Sequence, residues 1–154
     1  MYSAISVANA FIELAKRDSA TLTNMKLQKL VYIAQGFSLA MLDKPLFFNN
    51  VHAFQWGPVI PKLYEVVKQY GNNPIPDKIP YYFGDDSIDI DDDNSPEVAI
   101  IKGVWDIYGK KTAAQLSTIT HQPKTPWSET WAETQYGVIP NDVIKSHYLG
   151  IVSK

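Results

Sequence analysis

Six of the nine residues from 85 to 93 are aspartates: Asp85, Asp86, Asp89, Asp91, Asp92 and Asp93. Carboxylates this dense suggest cation chemistry first, and Asp89, Asp91 and Asp93 alternate like the opening of an EF-hand loop. That loop also needs glycine at its sixth position and glutamate at its twelfth, where this chain has Asn94 and Ile100. Calcium is therefore not expected. The run is read instead as a flexible, solvated acidic loop over about 84–94, kept open by its own repulsion. Outside it the chain carries 14 basic and 10 acidic side chains, a balance of +4 within a total of −2.

Other chemistry is harder to find. His52, His121 and His147 are scattered, with no partner histidine three or four residues away, so no two-histidine metal pattern exists. The absence of cysteine removes disulfides, thiolate metal sites and thiol nucleophiles. Neither a glycine-rich phosphate loop nor a GxSxG elbow is present. General acid–base catalysis needs a carboxyl shielded enough to raise its pKa, and a crowded solvent-facing aspartate loop does not provide one. The expectation is a non-enzyme with no catalytic residue, no metal and no cofactor.

Nucleic acid is an unfavoured partner. The net charge is −2, the one arginine is Arg17, and the aromatic residues lack the interleaved Lys and Arg of a base-stacking platform. No stretch reaches 18 apolar residues, and Met1–Ala10 has no charged leader, so the chain is expected to be cytoplasmic, with no membrane partner.

The elements follow from periodicity and caps. The 154 residues suit one domain, which can bury roughly 68–70% of its unfolded surface without staples. A helix is expected over 3–17, capped by Ser3 or Ser6. A stronger one follows Thr23 and runs to about Leu42, with Leu27, Leu30, Val31 and Ala34 inward and Gln28, Lys29 and Gln35 largely on the other side. Gly36 within it costs about 1 kcal/mol against alanine, which points to close approach of another backbone. The run LFFNNVHAFQW reads as a strand or hairpin around 46–56, broken by Gly57 and Pro58. Further helices are expected over 62–70, from Ser95-Pro96 to Gly109, from Thr112 to Thr120 and over 140–149, with one or two turns over 127–134. Short strands are expected near 79–83 and 87–90. The sum is a mainly α (α+β) fold: a single compact domain, 1–154, of about five to six helices with a small β-hairpin or short antiparallel sheet.

Three segments carry a resemblance. Met25 to Gly36 reads MKLQKLVYIAQG; Phe54 to Tyr64 reads FQWGPVIPKLY; Leu116-Ser117 is followed by Thr120-His121 and Pro126-Trp127. Together they resemble the Panacea antitoxin domain, the family of SocA-like and phage-associated GepA-like proteins, from Val7-Ala8-Asn9 to the terminal helix. The third segment departs from the pattern, because no carboxylate stands between His121 and Pro126. The resemblance implies a non-enzymatic protein that binds and neutralises a toxin encoded beside it. In SocA-like members it also implies delivery of that toxin to an ATP-dependent protease.

Nineteen aromatics are more than one small core hides easily, and Trp and Tyr are common interface anchors. The candidate partner-binding residues are Lys26, Lys29, Tyr32, Trp56, Asp89, Asp91 and Asp93. Gly36, Gly57, Pro58, Pro61, His121 and Trp127 are read as structural. Tyr32 and Gln35 are in reach of the strand at 52–55. The expected partner is a cognate protein toxin, in a one-to-one or two-to-two complex, the latter requiring a homo-oligomer. The alternative is a small-ligand-binding protein or enzyme with a pocket near Lys26, Tyr32, Trp56 and His121.

Overall fold

A computed structural model describes residues 1–80 and 86–154. Among them are seven α-helices and one two-stranded antiparallel sheet, a mainly α architecture with a small hairpin. The helices are α1 (Ala4–Arg17), α2 (Asn24–Leu42), α3 (Pro61–Val67), α4 (Pro96–Tyr108), α5 (Ala113–Thr120), α6 (Pro126–Glu133) and α7 (Asn141–Val152). The count exceeds the expected five to six because 126–133 forms a full helix. Thr125 and Ser128 make a reciprocal capping box there, with Pro126 preset for the first turn.

Side-chain caps set most of the boundaries. Ser3, Thr23, Ser95 and Thr112 each accept from the backbone N–H three residues on, satisfying a donor the first helical turn leaves free. Helix α3 is shorter than expected, giving way to a 3-10 turn at Lys68–Tyr70.

Helix α2 is the axis of the domain, packed by α1, α4, α5 and α7. All ten residues from Leu27 to Gly36 are buried, so the expected solvent-facing side of this helix does not exist. Its polar letters face other parts of the chain. Gln35 Oε1 accepts from the N–H groups of Leu46 and Phe47 at 2.7 and 3.2 Å, while its Nε2 donates to Phe47 O at 3.0 Å. Gln28 Oε1 accepts from Ile60 N–H at 2.9 Å. On α1, Asn9 takes both backbone groups of Ile79 in the same way, at 2.7 and 2.8 Å. Each buried amide replaces a missing strand neighbour for an extended segment, which would otherwise bury unpaired N–H and C=O groups. Gln35 therefore reaches 46–47, not the strand at 52–55.

Gly36 is there for a ring, not for a backbone. A Cβ on it would lie 2.2 Å from Cδ2 of Tyr148, which packs α7 onto α2. Tyr148 in turn meets Tyr32 and Phe37 edge-on at 6.2 and 5.0 Å between ring centroids.

The hairpin is β1 (His52–Phe54) and β2 (Gly57–Val59), in register His52 with Val59 and Phe54 with Gly57. Gly57 and Pro58 thus begin the returning strand and do not break the element. Gly57 has φ of +123°, which closes the two-residue turn at Gln55-Trp56. On its other edge β1 bonds the chain at 136–139.

Residues 87–90 form no strand, although Ile88 and Ile90 are buried in alternation. The strand expected near 79–83, and Asp85, fall wholly or partly outside the described residues. Over 86–94 the aspartates are solvated, but the backbone is tied down. Ile88 and Ile90 enter the core, Asp91 takes both guanidinium ends of Arg17 at 2.8 and 3.0 Å, and Asp89 accepts from Asp91 N–H at 3.0 Å. This described part is anchored, contrary to the expected free loop.

Candidate functional site

The hairpin turn, α3 and the first turns of α2 enclose a groove of about 420 Å³. Asn24, Met25, Gln28 and Lys29 of α2 contribute the floor. Phe54, Gln55 and Trp56 form one side, and Tyr64, Lys68 and Tyr136 are also at its edge. Trp56 is 66% exposed, and Tyr64 and Tyr136 are also open to solvent.

The aromatic wall is braced from behind. Phe54 meets Tyr64 and Tyr136 edge-on at 6.3 and 5.4 Å, Tyr136 meets Trp131 at 5.2 Å, and Trp131 stacks on Trp127 at 5.8 Å. Trp127 donates from Nε1 to Phe54 O at 2.6 Å and meets His121 edge-on at 5.5 Å. Ser117 Oγ donates to Trp56 O at 3.2 Å. The third motif, containing Ser117, His121 and Trp127, therefore fixes the hairpin that carries Trp56.

The floor has a different character. Lys29 is 97% buried, and its Nζ donates to Pro58 O at 3.0 Å, its one hydrogen bond among the described residues. Among the described residues no carboxylate pairs with it, and burial lowers its pKa from 10.5 to about 8. Gly57 leaves room for the ammonium, since a Cβ there would come within 3.1 Å of Nζ. Asn24, also on the lining, has its Oδ1 buried without a hydrogen-bond partner, the one such side-chain atom among the described residues. Gln28 has its amide engaged with Ile60 and offers the groove little.

The remaining candidates lie elsewhere. Lys26 donates to Gly109 O at 2.6 Å and sits 5.9 Å from the Trp105 ring centroid, closing the end of α4. It does not form the rim beside Trp56 that the sequence suggested. Tyr32 is in the core against Tyr148, where burial pushes its hydroxyl pKa up. Asp89, Asp91 and Asp93 line no part of the groove. The pocket imagined from Lys26, Tyr32, Trp56 and His121 is not formed: of the four, Trp56 alone lines the groove. Sequence reasoning passed over Asn24, Met25, Tyr64 and Lys68, which lie within or beside the two motifs, and Tyr136, which no local pattern connects to them.

A concavity of similar volume, also about 420 Å³, lies between α6 and α7 around Lys124, Glu129, Asp142 and His147. Its charges are of both signs and it holds no buried unpaired polar atom, so it lacks the feature that distinguishes the groove. No group of three or more potential metal-ligating side chains is found among the described residues. None of their helices is long and apolar enough to cross a membrane.

A family model described as "Antitoxin SocA-like, Panacea domain" matches residues 27–128, which contain α2 from Leu27 onward, the hairpin, α3 and the bracing Ser117, His121 and Trp127. The chain belongs to this family. It is similar to the protein named Antitoxin SocA from Caulobacter vibrioides (strain NA1000 / CB15N), at 27% identity over 133 aligned residues. That match covers 79% of this chain and 66% of the relative, so the chain spans just under two thirds of the relative's length. No solved structure matches it.

Proposed function

We propose that this protein is the antitoxin of a toxin–antitoxin pair, acting by binding a protein toxin encoded next to it and performing no catalysis of its own. The observation that carries this reading is the match of the antitoxin domain to residues 27–128, the stretch that supplies Lys29, the hairpin with Trp56, Tyr64 and the bracing Ser117, His121 and Trp127. Exposed aromatics held rigid by a packed second layer are the usual make-up of an interface hot spot. Trp56 and Lys29 are the binding residues in this reading. Asp89, Asp91 and Asp93 serve a lesser role, speeding encounter with a basic toxin.

The test is co-expression with each adjacent open reading frame. The expected result is rescue from one toxic neighbour and co-purification with it, with the complex mass by light scattering distinguishing one-to-one from two-to-two assembly. Harmless neighbours and no co-purification would contradict the reading. Delivery of the captured toxin to an ATP-dependent protease extends the proposal. It requires the toxin's half-life to shorten in the antitoxin's presence, and to recover when the protease is deleted.

A further inference from the structure

Lys29 is an anomaly by the standards of its own helix. Long cationic side chains are almost never fully buried unless paired, and this one has a single neutral acceptor. An ammonium has three N–H donors, so two remain for a group that enters from outside. The first turn of α2 adds to the same preference. Asn24 and Met25 open a 19-residue helix whose positive dipole end faces the groove, and Lys68 stands at the edge. Among the described residues no carboxylate belongs to the lining. The site is built for an anionic group it does not itself contain.

Asn24 narrows the choice. Its unpaired Oδ1 needs an N–H or O–H donor, on the same groove where Lys29 needs an acceptor. An extended peptide carries both, an acidic side chain and backbone N–H groups along its length, and the walls of Phe54, Trp56, Tyr64 and Tyr136 take apolar side chains on either side. A nucleic-acid phosphate would meet Lys29 but brings no donor for Asn24 Oδ1. The groove also lacks arginine.

We infer that the groove receives an extended peptide segment of a protein partner, with an Asp or Glu of that segment seated on the Lys29 ammonium and a backbone N–H donated to Asn24 Oδ1. This deepens the antitoxin reading and rests on it for the identity of the partner alone.

The experiment selects a random heptapeptide library displayed on phage against the full-length protein. Enriched peptides are then made synthetically and titrated by calorimetry. The expected peptides carry Asp or Glu beside aromatic or aliphatic residues. Affinity falls about thirtyfold or more when that acid becomes its amide, and similarly in Lys29→Met, as for other truncated buried charge pairs. Trp56→Ala, at an exposed turn where folding is not in question, also loses binding. Fluorescence polarisation with a 12-mer oligouridylate provides the opposing arm.

Absence of enrichment, enrichment of peptides without an acid, or binding indifferent to both Lys29→Met and Trp56→Ala overturns the inference. Saturable RNA binding lost in the same variants overturns it in favour of a nucleic-acid site. Acidic peptides selected by a protein that rescues no toxic neighbour would leave the groove standing and remove the antitoxin reading. Rescue that survives both substitutions would do the reverse.

Discussion

Two groups of polar side chains share helix α2 and differ in what they are for. Gln35 and Gln28 are buried and hold the backbones of 46–47 and of Ile60, with Asn9 of α1 doing the same for Ile79. Toward the start of α2, Lys29 and Asn24 are buried or nearly so with bonds unmade among the described residues. The first group spends no polar capacity on anything but the fold. The second leaves capacity unused at a desolvation cost to the free protein, which is the pattern expected where stability has been traded for binding. Polarity in a core is therefore informative only once its partners are counted.

The comparison can be broken by mutation. The largest effect is expected from the packing that holds α7 on α2. Gly36→Ala drives a Cβ into the Tyr148 ring and should cost more than about 3 kcal/mol of unfolding free energy, read by urea denaturation. A cost under about 1 kcal/mol would show that the ring can move aside.

Next come the clamps. Gln35→Ala strands two N–H groups and a carbonyl, and a loss of about 3 kcal/mol is expected in the same assay. Lys29→Met should cost far less, staying within about 1 kcal/mol of the wild type at pH 7, because removal of an unpaired buried charge offsets the loss of the donor to Pro58 O. Equal losses from both substitutions would erase the distinction between the two groups.

The same contrast can be sharpened by pH. Lys29 titrates near 8 when folded and near 10.5 when unfolded, so between those values the unfolded chain binds more protons and stability rises with pH. The folded protein should gain about 2 kcal/mol relative to Lys29→Met between pH 8 and 10. Tyr32 and Tyr148 act oppositely above about pH 10, since their pKa values are raised on folding and their contribution is lost as the pH climbs past the unfolded value. Curves for the two proteins that stay parallel from pH 8 to 10 would mean that Lys29 has the same pKa folded and unfolded, as a lysine paired with a carboxylate or open to solvent would. The smallest effect on stability belongs to Trp56→Ala, within about 0.5 kcal/mol, because that side chain is largely in solvent.

Much of the fold was legible because its signals are local. Ser3, Thr23, Ser95 and Thr112 announce helix starts by side-chain chemistry that acts within one turn. The polar side of α2 was misread because helical periodicity assigns Gln28, Lys29 and Gln35 to solvent. Their partners at 46–47, 58 and 60 come from elsewhere in the chain. Gly57 and Pro58 looked like breakers, and the positive φ that makes a turn out of them is invisible in the letters. The site was half legible. Trp56 and Lys29 stand in unusual motifs, whereas Tyr136 joins them through bonds between β1 and 136–139 that no spacing rule predicts. Lys26 and Tyr32 belong to the same motif as Lys29 but serve the end of α4 and the core.

The central claim is that the groove between α2 and the 54–57 turn is where a toxin is held. Its most direct test is growth rescue by co-expression with the toxic neighbour, comparing the wild type with Trp56→Ala and Lys29→Met at matched soluble levels. The account predicts rescue by the wild type, none by either variant, and no co-purifying toxin from the variants. Full rescue by both variants would contradict it.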